Sequence, residues 1–66
     1  MTGLDIYHDR VNTKRMTQGQ YVELFNRTEP ARVRITQGQL SQYENLRHAP
    51  RGEKAEKLQR IIDMKL

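Results

Sequence analysis

The glutamines of this chain are the side chains best suited to recognition chemistry, and most of them sit in a hexapeptide that nearly repeats. Met16-Thr17-Gln18-Gly19-Gln20-Tyr21 is followed by Ile35-Thr36-Gln37-Gly38-Gln39-Leu40. Each copy holds a Thr able to cap a helix, a Gln in the first turn and an apolar residue four positions after the cap. The Thr hydroxyl can accept from an orphan N–H of that turn. Met16 with Tyr21, and Ile35 with Leu40, are spaced as hydrophobic staples that fix the angle at which the chain enters each helix. A carboxamide donates and accepts at once, so a Gln at a helix start suits phosphates and base edges.

The second copy opens a run from Thr36 to Tyr43 without Lys, Arg, Asp or Glu. A merely solvated helix face normally carries charge. Here the outward positions are Thr36, Gln37, Gly38, Gln39, Ser41, Gln42 and Asn45. Gln37, Gln39 and Gln42 match base edges, and the flanking arginines match phosphates. At Gly38 a missing Cβ would let the helix approach a duplex closely.

These motifs must be positioned by a short chain. The 66 residues make one domain with a small core and no room for a catalytic cavity. A net charge of +4 suits a polyanionic partner. With no Cys there is neither a disulfide framework nor a thiolate metal site, and His8 and His48 lack ligand spacing and read as surface residues. No metal, cofactor or small-molecule substrate is expected. No run is apolar enough to span a bilayer or act as a signal peptide, so a cytoplasmic, membrane-free protein is expected. No nucleophile–base pair, carboxylate pair or phosphate loop is visible, which argues against an enzyme.

Four helices are predicted, over 4–15, 17–27, 36–46 and 53–64, in a single all-α domain spanning 1–66. Leu4, Tyr7 and Val11 lie at helical spacing in the first, behind Asp5. Tyr21, Leu24 and Phe25 form the inward face of the second, Leu40 and Tyr43 that of the third. Ala55, Leu58, Ile61 and Ile62 share a face of the fourth. Pro30 ends the second helix, and Pro50 with Gly52 separates the last two. The connector 28–35 carries Arg32 and Arg34.

The stretch from Ile35 to Asn45, followed by Pro50, resembles the recognition helix and following loop of the Xre-type helix-turn-helix family of phage repressors and Cro-like proteins. Residues 16–22 resemble the start of that family's second helix. The resemblance implies a lambda-repressor-like bundle with its third helix in the major groove. It implies base contacts at Gln37, Gly38, Gln39, Ser41 and Gln42. Backbone contacts are implied at Thr17, Gln18, Thr36, Asn45 and Arg47, and so is an internal ion pair of Glu44 with an Arg of the first helix, for which Arg10 is the nearest candidate. The chain departs from the family in its longer connector, which would add Arg32 and Arg34 as backbone contacts, and in Leu46, where Gly is frequent. It also ends without a fifth helix, which would leave Leu58, Ile61, Ile62 and Leu66 under-covered.

The expected function is sequence-specific binding of double-stranded DNA as a transcriptional repressor or regulator. A homodimer on a pseudo-palindromic operator is expected, because one half-site read by a few amides gives little specificity. The setting implied is a bacterial cytoplasm or a phage-infected host. The alternative is a protein-interaction module, an antirepressor or antitoxin, acting through the apolar face of the last helix.

Overall fold

A computed structural model of the chain describes residues 2–27 and 33–64. Among these it holds four α-helices and no strand: α1 (Gly3–His8), α2 (Gln18–Arg27), α3 (Gln37–Glu44) and α4 (Gly52–Asp63). Helix α1 packs on α3 and α4, and so does α2. No described helix is long and apolar enough to cross a membrane.

Helix α1 starts where the Asp5 carboxylate accepts from the Thr2 N–H at 2.7 Å. It buries Gly3 and Ile6, and Asp9, the next residue past its end, is buried as well. The apolar spacing of Leu4, Tyr7 and Val11 therefore does not mark the inward face: Leu4 is 50% and Tyr7 41% exposed. Gly3 explains the rotation. A Cβ there would overlap the Tyr43 carbonyl, so α1 crosses the end of α3 at a distance only glycine permits.

Beyond His8 the winding widens into a π-helical segment, Asp9–Thr13, closed by Lys14 N–H on the Asp9 carbonyl at 2.8 Å. Helical structure thus ends before Arg15, short of the expected boundary, because Arg15 turns into the left-handed region at φ 54°. The wide turn has a consequence for the core. It lays residue i+5 over residue i, and Lys14 reaches both oxygens of Asp9 at 2.9 and 2.7 Å. The same ammonium donates to the Ile61 carbonyl at 2.8 Å. Tyr21 donates its hydroxyl to Asp9 at 2.7 Å, and burial together with that bond raises its pKa well above the ordinary tyrosine value. A buried carboxylate and ammonium thus meet with hydrogen-bond partners to spare, the condition under which such a pair is tolerated.

The hexapeptide repeat is a pair of capping boxes. Gln20 N–H donates to Thr17 Oγ1 at 3.2 Å while Thr17 N–H donates to Gln20 Oε1 at 2.9 Å. In the second copy the corresponding distances, Gln39 to Thr36 and back, are 3.1 and 3.0 Å. Two orphan donors are satisfied reciprocally at each helix start.

Tyr21, Leu24 and Phe25 from α2 meet Leu40 and Tyr43 from α3, as their spacing predicts. Val33 and Ile35 of the connector join them, with Leu58 and Ile61 of α4. The last two are fully or almost fully buried, and Ile62 packs partly buried against the same core. The face of α4 expected to lie under-covered is therefore largely spent inside the molecule; Leu66 lies outside the described residues. Lys57, which carries no apolar signal, is fully buried on that face, its ammonium 4.6 Å from the centre of the Phe25 ring.

Helix α3 stops at Glu44 rather than 46. Leu46 N–H bonds the Tyr43 carbonyl at 3.1 Å and Arg47 N–H the Gln42 carbonyl at 2.9 Å, the two bonds of a Schellman motif. Leu46 occupies its left-handed position at φ 60°, with its side chain 59% exposed.

Candidate nucleic-acid interface

The exposed start of α3 is fixed from below by four side chains in series. Arg10 donates Nε and Nη2 to the two carboxylate oxygens of Glu44 at 2.7 and 2.9 Å, a two-pronged pair in which both side chains are largely buried. The bond to Glu44 raises the Arg10 pKa further above its ordinary value. Arg10 Nη1 also donates to the Met16 carbonyl at 3.0 Å, just ahead of the α2 cap. One guanidinium thereby joins the π-helical segment after α1, the start of α2 and the end of α3. Arg10 is thus the partner of Glu44 that the family resemblance implies.

Glu44 in turn accepts from Gln18 Nε2 at 3.2 Å, and Gln18 Oε1 accepts from Gln37 Nε2 at 3.4 Å. The last bond is long and exposed, so it steers the Gln37 side chain rather than locking it. Gln18 and Gln37, equivalent in the repeat, thus meet across the two helix starts.

Around this pair, Thr17, Thr36, Gly38, Gln42 and Asn45 are exposed, and Gln39 and Ser41 half-buried. Gln39 turns its carboxamide oxygen back to Thr36 in the capping box. Asn45 donates to Ser41 Oγ at 3.3 Å, one turn apart on the helix. Arg34 and Arg47 stand exposed at either end of α3. Arg32 lies outside the described residues. The surface so assembled has uncharged donors and acceptors in the middle and cations at its edges.

Two residues that shape this surface carry no obvious sequence signal. Asn26, near the end of α2, bonds the backbone of Ile35, and Lys57 bonds the Val33 carbonyl at 2.9 Å. An Asn at a helix end reads as a stop signal, and a Lys in an amphipathic helix reads as solvated. Gln20 and Gln39 did carry a signal, since Thr followed three residues later by Gln is the capping-box pattern.

Among the described residues no group of His, Cys, Asp and Glu could hold a metal ion. No protein-family model matches the chain, and neither a curated protein nor a solved structure shows significant similarity to it.

Proposed function

We propose that the chain is an Xre-type helix-turn-helix regulator that binds double-stranded DNA, with α3 in the major groove. One observation carries the reading: Gln37, at the head of an uncharged exposed helix face, is oriented through Gln18 by the buried Arg10–Glu44 pair. A surface amide with no task would not need three side chains behind it. Preorganisation of this kind reduces the ordering cost of a bidentate contact to a base.

In this reading Gln37, Gly38, Gln42 and Ser41 face bases, together with the part of Gln39 not held in its capping box. Thr17, Gln18, Arg34, Thr36, Asn45 and Arg47 address the phosphate backbone. Two copies on a pseudo-palindrome, with half-sites about one helical turn apart, would supply the specificity one copy lacks. Repression would follow from occupancy of a promoter, with no chemical step and no cofactor, in a bacterial cytoplasm or phage-infected host. The burial of Leu58 and Ile61 in the chain's own core leaves the antirepressor or antitoxin reading with less surface to work with.

The test is selection from a random duplex library, followed by binding at two salt concentrations. Enrichment of an inverted repeat supports a dimeric reader; absence of any binding at low salt removes the reading. On the selected site, Gln37→Ala is expected to cost about 1–3 kcal/mol of affinity while binding to unrelated duplex is retained. A variant that binds the selected site and the unrelated duplex each as tightly as wild type does would show that Gln37 reads no base.

A further inference from the structure

The connector into α3 is held at two points. Asn26 Nδ2 donates to the Ile35 carbonyl at 3.1 Å, and Asn26 Oδ1 accepts from the Ile35 N–H at 3.0 Å. One carboxamide thereby satisfies both backbone groups of one residue, as a neighbouring strand would. Two residues earlier, the buried Lys57 ammonium donates to the Val33 carbonyl. Val33 and Ile35 are buried and Arg34 between them is exposed, the alternation of a strand-like segment. Arg34 makes no ion pair with any described residue. It stands two positions ahead of the α3 cap, on backbone pinned on either side.

We propose that Asn26 is a positioning residue for polyanion binding: by clamping Ile35 it holds Arg34 beside the start of α3 as a fixed phosphate contact. A long connector left free would have to be ordered on contact, at a backbone-entropy cost that one exposed phosphate contact does not repay, so the contact would be lost. The inference rests on the DNA-binding reading above and assigns a device to the lengthened connector.

The experiment compares the whole chain with Asn26→Ala, Arg34→Ala and the double variant on a random-sequence duplex over a range of salt. Loss of one phosphate contact lowers the slope of log K against log salt by about 0.9. The expected result is that each single variant loses about that much and the double variant loses no more. In practice, a fourfold rise in salt should weaken wild type about 3.5-fold more than any of the three. A slope unchanged by Arg34→Ala, a slope changed by Arg34→Ala but not by Asn26→Ala, or additive losses would each overturn the assignment. If Asn26→Ala does not fold at the assay temperature, Asn26→Ser, which cannot bridge both backbone groups, is measured in its place. Failure of wild type to bind duplex even at low salt would instead overturn the DNA reading and this inference with it.

Discussion

The two copies of the hexapeptide are nearly identical in sequence and close to identical in local structure, yet they serve different surroundings. Thr17 with Gln20, and Thr36 with Gln39, close the same capping box with distances that agree within about 0.1 Å. Their first-turn glutamines differ. Gln18 is half-buried and bonded to Glu44, whereas Gln37 is exposed and bonded to Gln18. Their apolar ends differ too: Tyr21 and Leu40 are both fully buried, but only Tyr21 carries a hydroxyl, which it gives to Asp9. Local sequence decides that a helix starts; packing decides which start is a support and which is a surface.

The largest expected effect comes from removing what makes Gln18 a support. Glu44→Ala leaves the Arg10 guanidinium largely buried without its carboxylate, a loss of about 3 kcal/mol in urea denaturation. For a 66-residue domain this is much of the total stability. Glu44→Gln keeps an acceptor for Gln18 and should lose less. If Glu44→Ala costs no more than a surface change, the buried pair does not organise the two helix starts.

Next in size is the difference between Tyr21 and Leu40. The folded state holds the Tyr21 proton above the pH at which the unfolded chain releases it. Its contribution is therefore complete below the ordinary tyrosine pKa of about 10 and is lost as pH rises beyond it. Tyr43, raised by burial, adds to the same loss. Tyr21→Phe should cost about 1 kcal/mol at neutral pH through the bond to Asp9 and flatten the decline of stability above pH ~10. Melting temperatures of both proteins from neutral to strongly alkaline pH decide the point; parallel curves would mean that Tyr21 is no better held than an exposed tyrosine.

The caps themselves are the control. Thr17→Ala and Thr36→Ala should each cost about 1 kcal/mol, and by similar amounts, because the two boxes share one geometry. A clearly larger loss at Thr17 would show that the α2 start carries tertiary as well as local stability, which chemical denaturation of the two variants resolves.

This division also marks what was legible in the sequence. Helices α2 and α3 follow from Thr caps and from the spacing of Tyr21, Leu24, Phe25, Leu40 and Tyr43, all local signals. The inward face of α1 was not legible from its apolar residues. It is set by Gly3 meeting the Tyr43 carbonyl and by a π-helical widening that shifts the register after His8, neither of which periodicity reports. Lys14 and Lys57 escaped for a related reason: a lysine enters a core only where distant carbonyls and carboxylates converge on it, here Ile61 with Asp9, and Val33. At the candidate interface the exposed amides were visible in the chain, and Arg10 was named through the family resemblance. Asn26 was not, since its partner Ile35 lies across a connector whose path no local rule predicts.

The smallest effect on stability gives the sharpest separation of the two copies. Gly19 and Gly38 occupy the same position in each, both exposed and in the first turn. A Cβ at either would meet nothing nearer than the local Thr Oγ1, at 3.9 and 3.8 Å. Neither has a positive φ, so alanine fits both without strain. Gly19→Ala and Gly38→Ala should therefore each stabilise the fold by about 0.5 kcal/mol, through the unfolded chain and helix propensity. Duplex binding should divide them. If α3 lies in a major groove, a methyl group at 38 stands between helix backbone and bases, and affinity for a selected site falls while stability rises. At 19, on the supporting helix, the loss should be smaller. Denaturation and binding measured on the same two proteins give both quantities. Equal effects on binding would make the second glycine no more of a contact surface than the first, and would shift the reading of α3 away from base recognition.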